Sequence, residues 1–174
     1  MTMKDAHFSR GSVIQAVGWA VSTLERLALV VAPLALRIAL ALPFFRSGLT
    51  RWDGFLSLSP SAAYLFEEEF KLHLFGGAYD IPMPLLTAHI TATAEIVLPI
   101  LLVLGLGTRF AALGLLVMTG VIQLVVPDGW ANFHLPWAAM ALGLIALGPG
   151  PLSLDHVLRR LCHASAPGSE RRRP

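Results

Sequence analysis

Four long apolar stretches constrain the fold of this chain more than any other feature. They cover residues 27–45, 86–106, 110–126 and 130–147 and are 19, 21, 17 and 18 residues long. About 20 apolar residues at 1.5 Å per residue cross the roughly 30 Å hydrocarbon core of a bilayer. Charged residues make up 14% of the chain, whereas soluble domains average about 25%. The pattern predicts an all-α integral membrane protein, an antiparallel bundle of four transmembrane helices.

The basic residues predict the orientation of this bundle. If both termini are cytoplasmic, nine lysines and arginines lie inside and three, Arg46, Arg51 and Lys71, lie outside. Because basic residues concentrate in cytoplasmic loops, we expect both termini on the cytoplasmic side.

The chain outside the spans predicts three further parts. Residues 1–26 read as a cytoplasmic amphipathic lead-in, 27–160 as the membrane domain, and 161–174 as a disordered basic cytoplasmic tail. The outer loop, 47–85, is too long to be structureless, and Ser59 followed by Pro60 predicts a capped helix within it. A short helix is expected over 154–163. The single cysteine, Cys162, excludes an internal disulfide.

Two charges, Arg37 and Glu95, lie inside the first two spans. An unpaired charge at the centre of a membrane costs roughly 2.5–3.5 kcal/mol on insertion scales, so such residues are kept for pairing or for chemistry. Counted from the outer ends of their stretches, both lie about 14 Å deep, which predicts an Arg37–Glu95 pair. This pair is either structural or the catalytic core of a proton relay or of a quinone or ion site; the sequence leaves both open.

A second polar set is expected nearer the outer surface, formed by His89, Gln123, His134 and Trp137. The two imidazoles, with a nearby methionine thioether, would suit copper, so His89 and His134 are the candidate metal ligands. The alternatives are a metal-free cofactor pocket for a quinone headgroup or a proton, and plain structural hydrogen bonding. Copper and quinone therefore both stay open as cofactors.

Arg46, Arg51 and Trp52 follow the first span. Tryptophan and arginine both favour the membrane boundary, so an interfacial anchor is the first interpretation. Contact with an anionic headgroup or with the acidic run at 67–69 is the alternative.

Three segments together resemble the DoxX family of small four-helix membrane proteins. They are ALPFFRSGLTRW at 41–52, AEIVLPILLVLGLGTRFAALGL at 94–115 and LGPGPLSLDHVLRR at 147–160. The family usually has a lysine shortly after the Ser-Gly turn, and Arg51 occupies that place here. Two more segments, YLFEEEF at 64–70 and VIQLVVPDGWANFHLPWA at 121–138, are most similar to the DoxX-type branch associated with copper-binding, ribosomally made peptides, the HvfX or bufferin-associated proteins.

This resemblance implies a multi-pass protein of the bacterial inner membrane that acts as an accessory in a redox or copper-stress pathway. Its alternatives are a quinone-linked subunit of an oxidoreductase such as thiosulfate:quinone oxidoreductase, and a non-catalytic scaffold; whether the chain is an enzyme is open. The expected partners are the lipid bilayer, subunits of a redox or copper-peptide system, and a second copy of the chain. Nothing in the sequence indicates nucleic acid.

Overall fold

A computed structural model describes the backbone of residues 3–164 and the side chains of residues 13–162. The chain divides into two units, residues 1–32 and 33–174, and helix α1 (Met3–Thr50) contributes to both. In the first unit, the part of α1 from residue 13 onward exposes almost every side chain, including Trp19. Residues 161–164, which we predicted to begin the disordered tail, are helical, and the remainder of that tail lies outside the described residues.

Four helical segments are long and apolar enough to cross a membrane: Val13–Thr50, Pro84–Leu104, Thr108–Val125 and Pro127–Leu147. The second and third are helices α3 (Pro84–Leu104) and α4 (Thr108–Val125). The fourth begins with a 3₁₀ turn and a π-helical turn and continues as α5 (Leu135–Leu147). Many of their leucine, isoleucine and valine side chains are exposed, as expected for surfaces that face lipid. The predicted all-α membrane fold with four spans is confirmed.

The turn between α3 and α4 takes three residues. Gly105 and Gly107 adopt φ angles of +70° and +57°, a region that glycine enters without the steric cost of a Cβ atom. The backbone N–H of Leu106 donates to the carbonyl of Leu101 at 2.9 Å. This bond satisfies one of the free carbonyls at the end of α3.

The core of the second unit is built from α1, α3, α4 and α5. Leucine and phenylalanine supply its large side chains, and alanine supplies small ones, which let helix backbones approach each other. The buried members are Leu40, Ala41, Phe44, Leu102, Ala111, Ala112, Leu115, Ala141 and Leu144.

The outer loop contains more regular structure than the sequence predicts. Helix α2 (Pro60–Tyr64) begins as expected, because the Ser59 hydroxyl accepts a hydrogen bond from the Ala62 backbone N–H at 3.2 Å. A π-helical turn, Leu65–Glu69, follows it.

Two antiparallel hairpins flank this helical part and were not predicted. Strand β1 (Trp52–Gly54) pairs with β2 (Ser57–Leu58), and β3 (Lys71–Leu74) pairs with β4 (Gly77–Asp80). Phe66 and Ile81 of the loop pack with Ala88 in a small buried cluster. This cluster holds the loop against the first turns of α3.

After α5, residues 148–153 lead into the last described helix, α6 (Leu154–Ala164). Its first turn is joined to the turn between α3 and α4. The Asp155 N–H donates to the carbonyl of Gly105 at 2.9 Å, and its carboxylate accepts from the N–H groups of Gly107 and Thr108 at 2.8 and 3.0 Å. Asp155 therefore caps α4 from another part of the chain.

Candidate functional site

Glu95 is the buried carboxylate of α3, and its partner is Arg51. The Nε atom of Arg51 lies 3.4 Å from a carboxylate oxygen of Glu95, and the two side chains are 14% and 3% exposed. The Ser47 hydroxyl is a second hydrogen-bonding neighbour of this carboxylate. Gly48 makes the close approach of α1 possible, since a Cβ atom there would lie 2.9 Å from the Cβ of Glu95.

The expected Arg37–Glu95 pair is wrong. The buried Arg37 guanidinium donates instead to three backbone carbonyls, those of Pro33 at 3.3 Å, Val103 at 3.1 Å, and Leu152. Val103 lies in the last turn of α3, where carbonyls have no partner within the helix. Arg37 thus joins α1, the end of α3 and the segment before α6, which is a structural arrangement.

The depth estimate failed because the two helices do not end at the same level. Helix α1 runs on to Thr50, and α3 begins at Pro84, eleven residues before Glu95. The first turns of α3 pack against the outer loop through Ala88. Glu95 therefore lies beside the end of α1, while Arg37 lies fourteen residues before Arg51 in the chain, about 21 Å away along the helix axis.

Two aromatic rings cover Arg51. Its guanidinium carbon lies 5.4 Å from the ring centre of Phe66 and 5.8 Å from that of Phe70, within the range of a cation–π interaction. The acidic residues between these two phenylalanines, at 67–69, are exposed. Sequence reasoning missed Arg51 as a site residue and took it for an interfacial anchor. The available signal was a basic residue just after the first span, at the position where the resembled family has a lysine.

The Arg51–Glu95 pair lies in the wall of a cavity of about 700 Å³, within the 300–1,000 Å³ typical of small-molecule sites. Most of its lining is apolar. The outer loop closes one side through Phe66, Phe70 and Leu72, and α1, α3, α4 and α5 form the rest. The helix residues are Pro43, Phe44, Ser47, Thr87, Ile90, Thr91, Ala94, Leu98, Gly114, Val117, Met118, Val121, Ile122, Leu124, Val125 and Trp137, with Ile81, Pro82 and Val126 at helix ends.

Three members of the predicted outer polar set lie together. A ring nitrogen of the buried His134 is 2.6 Å from the Gln123 side-chain oxygen, and the His134 ring centre is 5.5 Å from that of Trp137. Of these three, Trp137 lines the cavity. His134 contacts Trp137, Gln123 contacts His134, and neither His134 nor Gln123 lines the cavity.

His89 is placed differently. It is exposed, a ring nitrogen is 2.8 Å from the carbonyl of Leu85 one turn earlier, and its ring meets Trp52 edge to face at 6.0 Å. No described contact joins it to His134. Across the residues that the structure describes, no three His, Cys, Asp or Glu side chains form a group able to hold a metal ion.

The fold and this cavity define a class of protein. It is a small multi-pass membrane protein with four spans and a largely apolar cavity beside a buried ion pair. The chain matches the DoxX family over residues 32–128, and it belongs to that family. An uncharacterized protein of Haemophilus influenzae is 29% identical over 143 residues, which cover 75% of this chain and 85% of that protein. No solved structure matches the chain.

Proposed function

We propose that this DoxX-type protein is the quinone-binding membrane subunit of a redox pathway, with the quinone ring in the cavity beside Arg51 and Glu95. The observation that supports the proposal is the position of an ion pair in the wall of a mostly apolar, partly aromatic chamber of about 700 Å³. Quinones combine two polar carbonyl oxygens with an apolar ring and tail, so one polar corner in an apolar chamber suits them.

The residues fit this group. Arginine carries five N–H donors, and Arg51 directs one of them, at Nε, to Glu95, which leaves others for a carbonyl oxygen. The Phe66 and Phe70 rings hold the guanidinium in place, and Trp137 supplies a further aromatic wall.

A bound quinone supplies two-electron, two-proton chemistry. In our proposal Arg51 would donate a hydrogen bond to one quinone oxygen, and Glu95 would supply one proton to that oxygen on reduction or accept it on oxidation. The apolar lining excludes water, which strengthens both interactions. The electrons come from a partner redox protein, so the chain acts as a subunit.

The setting of the protein is part of the same proposal. We place it in the bacterial inner membrane with both termini cytoplasmic, because of the asymmetry of its basic residues. We choose quinone over copper because His89 and His134 contact different parts of the molecule and neither lines the cavity. The copper-stress role implied by the resemblance stays a prediction.

Trp137 offers a direct test, since a quinone stacked in the cavity would quench its fluorescence. In a variant that keeps Trp137 and carries Trp19→Phe, Trp52→Phe and Trp130→Phe, titration with a short-chain ubiquinone should give saturable quenching. Adding Glu95→Gln or Arg51→Gln should weaken binding about tenfold or more, the usual cost of losing a hydrogen bond to a charged group.

Two controls make this test specific. Arg46→Gln removes an exposed charge near the same end of α1 and should leave the titration unchanged. Arg51→Lys keeps the charge and should retain most of the affinity. Quenching that never saturates, or that is the same in the Glu95→Gln variant, would exclude a quinone site at this pair.

A further inference from the structure

A second set of observations concerns α6 and the opposite end of the bundle from the cavity. The first turn of α6 is fixed by the three hydrogen bonds of Asp155 to the turn between α3 and α4. The second span ends at Leu104, and the third span begins at Thr108. Helix α6 therefore starts beside the turn that joins two of the spans.

Helix α6 has one apolar face that the described protein leaves open. Leu154, Val157 and Leu158 follow the spacing i, i+3, i+4 that places side chains on one face, and each is 42–49% exposed. Arg159 and Arg160 lie outside this apolar stripe. A helix of eleven residues is marginal in water by itself, so an exposed apolar face on it favours a further binding surface.

A groove of about 370 Å³ lies between α6 and the first turn of α4. Arg109 and Arg159 contribute two guanidinium groups to its lining, and Phe110 and Leu158 contribute apolar surface. Phe110 is 82% exposed. The Arg109 guanidinium lies close to the backbone at Gly148.

The charges in this groove favour an anion. Among the described residues, neither Arg109 nor Arg159 has a carboxylate oxygen within 4.0 Å. Asp155 also lines the groove and interacts electrostatically with Arg159, but its two oxygens accept hydrogen bonds from the N–H groups of Gly107 and Thr108, so the three side chains leave a net positive charge. Arg159 donates from Nε to the backbone carbonyl of Asp155 at 3.2 Å, which orients its guanidinium and leaves the terminal nitrogens for a ligand.

We propose that α6 lies in the membrane interface and that the groove between Arg109 and Arg159 binds the phosphate group of an anionic phospholipid. The acyl chains of that lipid run along Phe110 and the apolar face of α6. Basic amphipathic helices bind membranes in this way, with the apolar face at the boundary of headgroups and acyl chains and the basic groups on acidic lipids. The site is independent of the quinone cavity, since no lining residue is shared.

Native mass spectrometry of the delipidated full-length protein tests the proposal, with phosphatidylglycerol and phosphatidylcholine as probes. The wild type should retain one phosphatidylglycerol in preference to phosphatidylcholine. Arg109→Gln with Arg159→Gln should weaken this retention about 25-fold, since one basic residue contributes about fivefold near an anionic surface. Arg160→Gln is the matched control: it removes the same charge from the same helix outside the groove and should have less than half the effect of Arg159→Gln.

Further variants and probes distinguish a lipid site from misfolding, from a free-anion site and from a dimer interface. Arg109→Lys with Arg159→Lys keeps both charges and should retain the lipid preference. If the lysine variant retains lipid and the glutamine variant loses it, the loss results from the missing charges and not from misfolding. Inorganic phosphate should not displace the lipid; displacement at equal concentration would make the groove a free-anion site and overturn the proposal. Equal retention of the two lipids, or an equal loss in Arg160→Gln, would also overturn it, as would dimerisation through α6 without bound lipid.

Discussion

At the scale of single residues, Arg51 stabilises Glu95 through charge and is itself held by two aromatic rings. The pair is asymmetric, because Glu95 is almost fully buried whereas Arg51 is 14% exposed and retains its ring contacts if the carboxylate is removed. Removing one partner of a buried ion pair leaves an uncompensated charge, which costs more than the pair itself contributes.

This asymmetry predicts the outcome of a double-mutant cycle on Arg51 and Glu95. Arg51→Gln should lower the free energy of unfolding by about 3 kcal/mol, because it leaves Glu95 unpaired. Glu95→Gln should cost less, and the double variant should cost less than the sum of the two. Unfolding in mixed micelles measures all three, with Arg46→Gln expected within about 0.5 kcal/mol of wild type. Additive costs would show that the two side chains do not interact.

At the scale of elements, the turn between α3 and α4 connects several parts of the bundle. Gly105 lies against the Arg37 guanidinium and Ser153, whereas Gly107 has no atom within 4 Å of the position of a Cβ. Both have positive φ. A Cβ atom at Gly107 would therefore introduce only backbone strain, whereas one at Gly105 would introduce both strain and a steric clash.

Alanine substitutions at these positions should differ for that reason. Gly107→Ala should cost only the backbone strain, about 1–2 kcal/mol. Gly105→Ala adds a collision with Arg37 and with Ser153 and should lower the melting temperature distinctly more. Differential scanning fluorimetry of both variants in one detergent checks this. Equal shifts would mean that Arg37 is not packed against the turn.

Asp155 makes the junction between α6 and the turn sensitive to acid. Burial alone would raise the pKa of Asp155, but the backbone N–H groups of Thr108 and Gly107 outweigh it and hold that pKa below its usual range. A lowered pKa in the folded state contributes stability above the unfolded-state value, about 3.9, and that contribution is lost as the pH falls through the lower folded-state value.

Asp155→Asn keeps one acceptor oxygen and loses the other together with the charge, so it should destabilise the protein by about 1.5 kcal/mol at pH 7, the lower end of the range for a hydrogen bond to a charged group. The difference from wild type should shrink as the pH falls below about 3.9, because the aspartate of the unfolded chain is protonated before the ionised cap of the folded protein. Melting temperatures of both proteins across this pH range provide the measurement. A gap that stays constant down to about pH 3, well below the usual pKa of an aspartate, would contradict an ionised cap.

Residues that obey local rules were predictable from the sequence, and those that depend on chain packing were not. The spans follow from apolar length, and the Ser59 cap follows from the proline after the serine. Which residue pairs with Glu95 depends on the relative levels of α1 and α3 in the bundle, and the spacing of apolar residues along the sequence does not determine these levels. The hairpins of the outer loop escaped prediction because their strands are two to four residues long and lack a clear alternation.

At the scale of the whole molecule, four spans place α6 and the outer loop on opposite sides of the membrane. Because the chain crosses the bilayer four times, it returns after the fourth span to the side on which the first span begins. Helix α6 follows the fourth span and therefore lies on that side, whereas the outer loop, between the first two spans, lies on the other. Our proposal puts α6 on the cytoplasmic side because most basic residues lie there.

The single cysteine provides an assay for this orientation. Cys162 is exposed on α6, so a membrane-impermeant maleimide should label it in inside-out vesicles and not in intact spheroplasts. Cys162→Ser with Ser57→Cys moves the thiol to an exposed position in the outer loop and should reverse the pattern. Labelling of Cys162 in intact spheroplasts would show that the protein has the opposite topology.

The central claim is that a quinone occupies the cavity beside Arg51 and Glu95. Photoaffinity labelling with an azido-quinone, followed by peptide mapping, tests it most directly. We predict labels on residues that line the cavity, such as Thr91, Met118 and Trp137, that excess ubiquinone suppresses and that Glu95→Gln reduces. Labels confined to lipid-facing residues outside the cavity, or labels that excess ubiquinone does not suppress, would contradict the account.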